Sequence, residues 1–332
     1  MNRRITIGVL VPSHGEAPTD PPEGRPIGRA ALSLSGSGID VIFGDQVHAG
    51  CISGYRAVSG GWEAAESVPL DAAHDRFPSQ LRAQRYAEIM QGLGDLTLGN
   101  PTAFTMLCRD KLQTQDVLQA HGVQMPPVCG DAESFAERIE EWGSGFLKPR
   151  YGALGIGVTR VLPGDPMPPL LPGVVPDRPD PSILQAAIHP PDGWRARTVR
   201  VLVQREPDGG WWSGTPVVRQ SRSDHVANAA RGAEVVPGDQ ALNERTLNRL
   251  ESATHALCDA LDVIDPHGLA LEAGADFVLD SAHEPWLIEL NSRPRGRMEV
   301  LSVHDPGRYE AAHVMACTRP ILRLAAALTL TH

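Results

Sequence analysis

Residues 274–291 read GADFVLDSAHEPWLIELN, two apolar runs joined by a polar turn. Such a stretch predicts two neighbouring antiparallel strands with the turn at residues 280–283. Glu289 and Asn291 are two apart, so their side chains leave the same face of the second strand, and Asp276 of the first strand comes beside them. Carboxylate and amide oxygens are hard ligands that suit Mg²⁺. The stretch therefore predicts a metal site, although the last two residues alone are more typical of a solvated strand end.

Lysine is nearly absent from the chain: of its 30 Lys and Arg residues, only Lys111 and Lys148 are lysine. A GC-rich coding bias would explain the arginines without any selection for chemistry. Lys148, however, ends an apolar run that predicts a strand and precedes a glycine-rich turn with Gly152, Gly155 and Gly157. Such a turn can bring backbone N–H groups close to phosphates while the lysine supplies charge. A structural hairpin with a solvated lysine explains the turn equally well, and the spacing fits neither a P-loop nor a dinucleotide fingerprint.

The overall composition narrows the class of protein. A length of 332 residues with 42% hydrophobic residues predicts two or three compact units. A net charge of −10 argues against nucleic-acid and anionic-membrane partners, so small molecules are the expected partners. The five cysteines form no CxxC pair, which argues against a zinc site and a disulfide framework. With no run long enough for a signal peptide or a membrane span, a cytoplasmic protein is expected.

The first half of the chain has the pattern of an α/β protein. Residues 5–11 and 39–43 predict strands, and residues 79–93 predict a helix that ends at Gly94. Asn100 is expected to cap the next helix, with Pro101 in its first turn. The helix with Lys111 should end at Gly122. The next predicted helix begins at Asp131, its cap, and ends at Trp142-Gly143. A predicted strand at 145–148 completes this half.

The second half predicts a sheet covered by long helices. Eight prolines in residues 162–181 mark an exposed loop. The predicted strands beyond it cover residues 183–188, 198–204, 211–219, 269–279 and 286–291. Residues 242–261 predict a long amphipathic helix. A last helix is expected at 308–328, with Pro320 breaking or kinking it.

The order of these motifs resembles the ATP-grasp superfamily, and within it the YheC/YheD-like branch named from spore coats. The resemblance runs from about Asn100 to Met298. The resemblance rests on the following residues: the Asp110-Lys111 segment, Lys148 with the glycine turn, the run 183–188, Arg200, Arg219, Asn228, and the trio Asp276, Glu289 and Asn291. The pentapeptide HDRFP at 74–78 is similar to a short element of that branch. Thr198 and the Arg231-Gly232-Ala233 run depart from the pattern of the relatives.

The resemblance implies a mixed α/β chain with the ATP-grasp fold. It implies a Rossmann-like N-terminal domain at 1–99, a central and lid subdomain at 100–190, and a C-terminal subdomain at 191–332, the two α+β subdomains clasping ATP. The ATP contacts that it implies are Lys111, Lys148, Gly152, Gly155, Gly157, Gln185, Ile188, Arg200 and Arg219. Mg²⁺, as two ions that Mn²⁺ can replace, would be held by Asp276, Glu289 and Asn291. The catalytic residues would be Lys148, Arg219 and Asn228. Arg293 belongs to an arginine cluster that directly follows the metal ligands, so it is added as a catalytic residue that clamps a substrate carboxylate, although a solvated turn of charges also explains the cluster.

The implied activity is that of an ATP-dependent carboxylate-amine ligase. ATP would phosphorylate a carboxylate, and an amine would attack the acyl phosphate to form an amide or peptide bond with release of ADP and phosphate. Two alternatives stay open: phosphotransfer to a hydroxyl, and a non-catalytic nucleotide-binding protein with a structural or regulatory role. The sequence identifies neither the acid nor the amine, and it leaves homo-oligomerisation open.

Overall fold

The computed structural model describes residues 4–12, 26–77, 83–152, 155–168, 181–191, 193–227, 232–294 and 298–330. Within these ranges the chain forms sixteen strands in three sheets, together with nine α-helices. The predicted mixed α/β class is confirmed. Each described helix is too short or too polar to cross a bilayer.

The first sheet joins four parallel strands to an antiparallel hairpin. Its members are β1 (Ile5–Leu10), β2 (Ile39–His48), β3 (Cys51–Val58), β4 (Gly61–Pro69), β5 (Ala72–Asp75) and β6 (Thr97–Gly99), in the order β4-β3-β2-β1-β5-β6. Helices α1 (Pro26–Ser33) and α2 (Ala83–Leu93) belong to the same part of the chain. The predicted strands at 5–11 and 39–43 are confirmed, and α2 ends before Gly94, whose φ is +61°. The hairpin of β3 and β4 was not predicted, although Gly60-Gly61 between two apolar runs is a hairpin signal.

Strands β2 and β3 approach each other very closely at Gly54, where the register of the pair shifts. A Cβ atom at Gly54 would overlap the carbonyl oxygen of Phe43. We expect Gly54→Ala to lower the free energy of unfolding by about 2 to 4 kcal/mol, because the backbone must move to admit the methyl group. Urea unfolding followed by circular dichroism measures the change. Ser59→Ala, in the exposed turn of the same hairpin, is the control, and equal stability of the two variants would contradict the prediction.

Three helices and a helical turn lead into the second sheet. They are α3 (Thr102–Arg109), α4 (Lys111–Ala120), a 3-10 turn (Ala132–Ser134) and α5 (Phe135–Trp142). Gly122 and Gly143 follow α4 and α5 with positive φ, as predicted. The prediction that Asn100 caps α3 is wrong. Pro101 occupies the cap position without a side-chain hydrogen bond, because the Asn100 side chain instead binds the backbone near two later strands.

The second sheet is small and antiparallel. Its strands are β7 (Val128–Cys129), β8 (Gly145–Pro149), β9 (Thr159–Val161) and β10 (Ser182–Ala186), in the order β7-β10-β8-β9. Leu147 and Leu184 pack with Phe135 and Ile139 of α5 on one face. Since strand side chains alternate, Lys148 of β8 and Gln185 of β10 leave the opposite face. Most of the proline-rich loop, residues 169–180, lies outside the described residues.

The third sheet forms the largest core. Its strands are β11 (Ala196–Arg205), β12 (Trp211–Ser213), β13 (Val217–Ser221), β14 (Glu234–Pro237), β15 (Glu272–Leu279) and β16 (Pro285–Asn291). Helix α6 (Gly238–Ala241) and the long helix α7 (Glu244–Ile264) lie between β14 and β15 in the chain. The main order is β14-β13-β11-β15-β16, and β12 pairs with β11. The predicted run 211–219 therefore contains two strands, while the predicted antiparallel pair at 274–291 is confirmed.

The described chain ends with α8 (Glu299–His304) and α9 (Pro306–Leu330). The last helix continues through Pro320, so the proline does not break α9, and the alternative of a kink stays a prediction. Ile321, Leu324 and Ala325 of α9 pack into the core of the first sheet with Ile7 and Val9. The last helix thus completes the core that the first strand begins.

Candidate active site

The third sheet separates an apolar face from a charged one. Ala273, Ala275 and Phe277 of β15 point into the main core. Because side chains alternate along a strand, Asp276 lies on the opposite face. Arg200 of β11 is the direct register partner of Asp276. The alternation of apolar core residues along β15 therefore places Asp276 on the charged face, beside Arg200.

Asp276 lies between two arginines. Its carboxylate accepts two parallel hydrogen bonds from Arg200, one of them from Nε at 2.6 Å, while Nη1 of Arg219 lies 3.7 Å from Oδ1. Burial acts against the charge on Arg200, but the carboxylate more than offsets it, so the pKa of Arg200 is raised. Burial and the neighbouring Arg200 lower the pKa of Arg219, although a guanidinium keeps its charge throughout the physiological range.

Glu289 and Asn291 reach the same face with the help of a β-bulge. Asp276 pairs with Glu289 but Phe277 pairs with Leu287, so Ile288 is the extra residue of β16. Leu287 and Leu290 remain in the core, which leaves Glu289 and Asn291 on the charged face. Bulges near functional sites redirect side chains in this way. Nδ2 of Asn291 lies 3.4 Å from Oδ2 of Asp276, so all three predicted donors are brought together.

Lys111 is held in place by its neighbour Asp110 and by the Gly152 carbonyl. Asp110 caps α4 by accepting from the N–H groups of Leu112 and Gln113, and Nε and Nη2 of Arg150 each bind Asp110 at 2.7 Å. Although burial opposes the charge, these hydrogen bonds hold the pKa of Asp110 below its usual value. The Lys111 ammonium donates to the carbonyl oxygen of Gly152, and it lies 4.0 Å from Oε1 of Glu289. It thus joins the glycine turn to the charged face of the third sheet.

Lys148 comes from the second sheet. Its ammonium donates to Oε1 of Gln185, a buried side chain on β10. Desolvation lowers the pKa of Lys148 to about 8, with Lys111 acting in the same direction and Glu289 and Asp276 opposing it. The two lysines and the two carboxylates therefore share one electrostatic environment.

The lowered pKa of Lys148 predicts that nucleotide affinity depends on pH. We expect the affinity for the ATP analogue AMP-PNP to fall above pH 8, by up to about tenfold per pH unit, because the lysine loses its positive charge there. Isothermal titration calorimetry between pH 7 and 9 measures this, and Lys148→Met should remove the dependence. A Lys148→Met variant with the same pH profile as the wild type would contradict the assignment.

The free energy of unfolding depends on pH in the opposite direction from the nucleotide affinity. An unfolded chain holds the Lys148 proton up to about pH 10.5 and the folded chain up to about pH 8, so the contribution of Lys148 to stability rises with pH between these values.

For the remaining predicted ATP contacts the structure gives the local backbone or the burial. Gly155 and Gly157 have φ values of +68° and +73°, which require glycine-like backbone freedom. Ile188 is half-buried just beyond the end of β10. Asn228 lies outside the described residues, as do 153–154 of the glycine turn. The predicted role of Asn228 stays a prediction.

Arg293 has partners that the sequence did not reveal. Its guanidinium binds Asp75 at the end of β5, lies 3.2 Å from the hydroxyl of Tyr86, and stacks over the Tyr86 ring. Asp75 is fully buried and also accepts from the Tyr86 hydroxyl at 2.7 Å. Burial and this carboxylate raise the pKa of Tyr86. Arg293 therefore already binds a carboxylate of the chain, that of Asp75. Its predicted role as a clamp for a substrate carboxylate stays a prediction.

The assembled site suits a polyanion with a divalent cation. Among the described residues, Lys111, Lys148, Arg200 and Arg219 face two carboxylates, those of Asp276 and Glu289, so positive charge is in excess by two there. Within the described ranges no cluster of three His, Cys, Asp or Glu residues could hold a metal. The third donor here is the amide of Asn291. The donor set fits Mg²⁺, because Asp276, Glu289 and Asn291 each offer an oxygen, a carboxylate oxygen has more than one lone pair, and Glu289 meets Lys111 only at 4.0 Å.

The chain is similar to known proteins in part of its sequence and in its fold. A family model described as YheC/D like ATP-grasp matches residues 181–312, and no curated protein matches the chain by sequence. The structure is similar to D-cycloserine synthetase DcsG, with a TM-score of 0.59 and 16% identity over 96% of this chain and 99% of that one. It is also similar to the D-alanine-D-alanine ligase from Coxiella burnetii, with a TM-score of 0.57 and 14% identity over 99% of this chain and 95% of that one.

A third similar structure is the L-amino acid ligase from Bacillus licheniformis, with a TM-score of 0.51 and 16% identity over 90% of this chain and 69% of that one. At such identities the likeness concerns the fold. The family match covers Arg200, Arg219 and the three predicted metal ligands. Residues 181–312 therefore match the YheC/D like ATP-grasp family model, and the chain as a whole has the ATP-grasp fold.

Proposed function

We propose that the chain is an ATP-dependent carboxylate-amine ligase that forms an amide or peptide bond and releases ADP. The observation that carries the proposal is the meeting of Lys111, Lys148, Arg200 and Arg219 with three oxygen-bearing side chains between the second and third sheets. The names of the similar structures, a synthetase and two ligases, support the same class of reaction.

The basic side chains have separate roles in the proposed reaction. Lys111 and Lys148 bind the phosphates of ATP, and the turn with Gly152, Gly155 and Gly157 covers them. Gln185 and Ile188 lie at the strand that would meet the adenine. Arg219 faces the phosphoryl group as it moves to the substrate carboxylate. Arg200 orients Asp276 through its two parallel hydrogen bonds.

Asp276, Glu289 and Asn291 would hold Mg²⁺. When bound, the ion neutralises charge on the phosphate oxygens and so lowers the barrier to phosphoryl transfer. No side-chain nucleophile is needed, because the substrate carboxylate and then the amine attack in turn. The acyl phosphate formed in the first step gives the amide and inorganic phosphate in the second.

The proposed division of the chain follows the three sheets. Residues 1–99 would contribute to the substrate pocket, residues 100–190 would carry the lysines and the glycine turn, and residues 191–332 would carry the metal ligands. All five cysteines are free, which fits work in a reducing cytoplasm.

Trapping of the activated acid tests the proposal. The purified chain is incubated with ATP, Mg²⁺, hydroxylamine and a panel of amino acids, dipeptides and other carboxylic acids. ADP release that depends on one acid, together with the matching hydroxamate, would support the ligase. Phosphorylation of a hydroxyl compound without hydroxamate would identify a phosphotransferase instead. Tight ATP binding with no turnover across the panel would favour a non-catalytic nucleotide-binding protein.

A further inference from the structure

Arg76, in the HDRFP pentapeptide, bridges the ends of the two strands that carry the predicted metal ligands. Its Nη1 donates to Oε1 of Glu272, the first residue of β15, at 2.6 Å. Its Nη2 donates to the carbonyl oxygen of Pro294, three residues beyond the end of β16, at 2.9 Å. One guanidinium from the end of the first sheet thus touches both β15 and the segment that follows β16.

Asn100 makes a second bridge at the same place. Its Nδ2 donates to the carbonyl oxygens of Glu272 and Ser292, and its Oδ1 accepts from the N–H groups of Leu271 and Glu272 at 2.7 and 3.2 Å. The residue is fully buried and has a φ of +57°, the left-handed region that asparagine tolerates better than most residues. Hydrogen bonds from the Asn100 side chain to the backbone of Leu271, Glu272 and Ser292 therefore stabilise this backbone conformation of Asn100.

These contacts lie one step from the metal ligands. Gly274 is the register partner of Asn291. A Cβ at Gly274 would lie 3.2 Å from Cβ of Pro294, so the proline folds back over the strand pair at that point. Holding the Pro294 carbonyl consequently holds the segment that follows Asn291, while holding Glu272 holds the strand that carries Asp276.

The acceptor of Arg76 is itself enclosed. Glu272 has no exposed surface, and its carboxylate also accepts from Nε2 of Gln204 at 3.0 Å and lies 3.4 Å from Nε2 of His74. A buried carboxylate with several donors has one favoured position, because losing a partner leaves charge without compensation. Arg76 is therefore anchored at a fixed point of β15 while its other nitrogen reaches Pro294.

We propose that Arg76, with Asn100, is a positioning residue that fixes the start of β15 against the segment that follows β16 and so sets the geometry in which Asp276, Glu289 and Asn291 bind a divalent cation. The inference rests on the proposed function. It explains why the HDRFP pentapeptide matters to the site, since through Arg76 the first sheet aligns the metal ligands of the third sheet without touching the metal.

Arg76→Lys separates this role from a merely structural one. A lysine ammonium can stay paired with Glu272, but it lacks the planar fork that reaches both Glu272 and the Pro294 carbonyl. We expect the variant to unfold within about 3 °C of the wild type. Its Mn²⁺ dissociation constant with AMP-PNP, measured by electron paramagnetic resonance of free Mn²⁺, should rise about 10- to 100-fold. Arg138→Lys is the matched control, since Arg138 makes an exposed ion pair with Glu141.

A folded Arg76→Lys variant whose Mn²⁺ affinity stays within about twofold of wild type would overturn the inference. Metal binding does not depend on turnover, so the two proposals fail separately. A wild-type chain that activates no acid, combined with weakened Mn²⁺ binding in the variant, would reject the ligase and retain the positioning role. A wild-type chain that binds no Mn²⁺ with AMP-PNP would overturn both.

Discussion

Lys148→Arg is expected to lower ATP-dependent turnover about 10- to 150-fold, the range that corresponds to losing one hydrogen bond to a charged group. The Lys148 ammonium is compact, donates to Gln185 and lies near Lys111 on the face of the second sheet. A planar guanidinium is larger, keeps its proton at every accessible pH, and cannot occupy the same point without moving Gln185. ADP release with the best acid from the panel measures the loss.

A conservative exchange at the surface serves as the control for this prediction. Arg138→Lys keeps an exposed cation beside Glu141 and should leave turnover unchanged. Lys148→Met, which has no charge, should be at least as damaging as Lys148→Arg. If Lys148→Arg retains turnover within about twofold of wild type, the need for a point charge at this position is refuted.

Glu289→Gln should reduce turnover and Mn²⁺ affinity by about 100-fold each, because the amide keeps an oxygen but loses the negative charge that a divalent cation requires. Glu289 is the register partner of Asp276 and pairs with Lys111 only at 4.0 Å, so its carboxylate is available to a cation. Initial rates over a range of Mg²⁺ concentrations, together with Mn²⁺ titration, measure both effects.

Glu284→Gln is the matched control, since Glu284 lies in the turn before β16 and pairs with Arg249 at 3.0 Å, away from the site. It should change neither quantity. An unchanged Mn²⁺ affinity in Glu289→Gln would remove Glu289 from the metal site and would leave Asp276 with too few partners to bind a cation alone.

Much of the fold was predictable because local patterns agree with it. Apolar runs marked β1, β2, β8, β10, β15 and β16, and glycines with positive φ marked the ends of α2, α4 and α5. The trio Asp276, Glu289 and Asn291 followed from strand alternation. These features depend on neighbours in sequence, which a single sequence displays directly.

The unpredicted features depend on contacts between distant residues. The bulge at Ile288 is set by the packing of Leu287 and Leu290 and not by any turn residue. Asn100 has the sequence of a helix cap, yet its side chain binds backbone 171 to 192 residues away, where it satisfies more buried groups than a cap would. Arg293 was predicted to bind a substrate carboxylate. Its partner in the structure, Asp75, is 218 residues away in the chain, and the sequence gives no sign of this contact.

The packing of α9 against the first sheet has a consequence for how the protein folds. Ile7 and Val9 share a core with Ile27 and Ala31 of α1 and also with Ile321 and Leu324, so part of the cover of β1 comes from the far end of the described chain. Contacts of such sequence separation slow folding, because a very long loop must close before they form. Until α9 has been synthesised, the first sheet leaves uncovered the apolar surface that α9 buries in the folded chain.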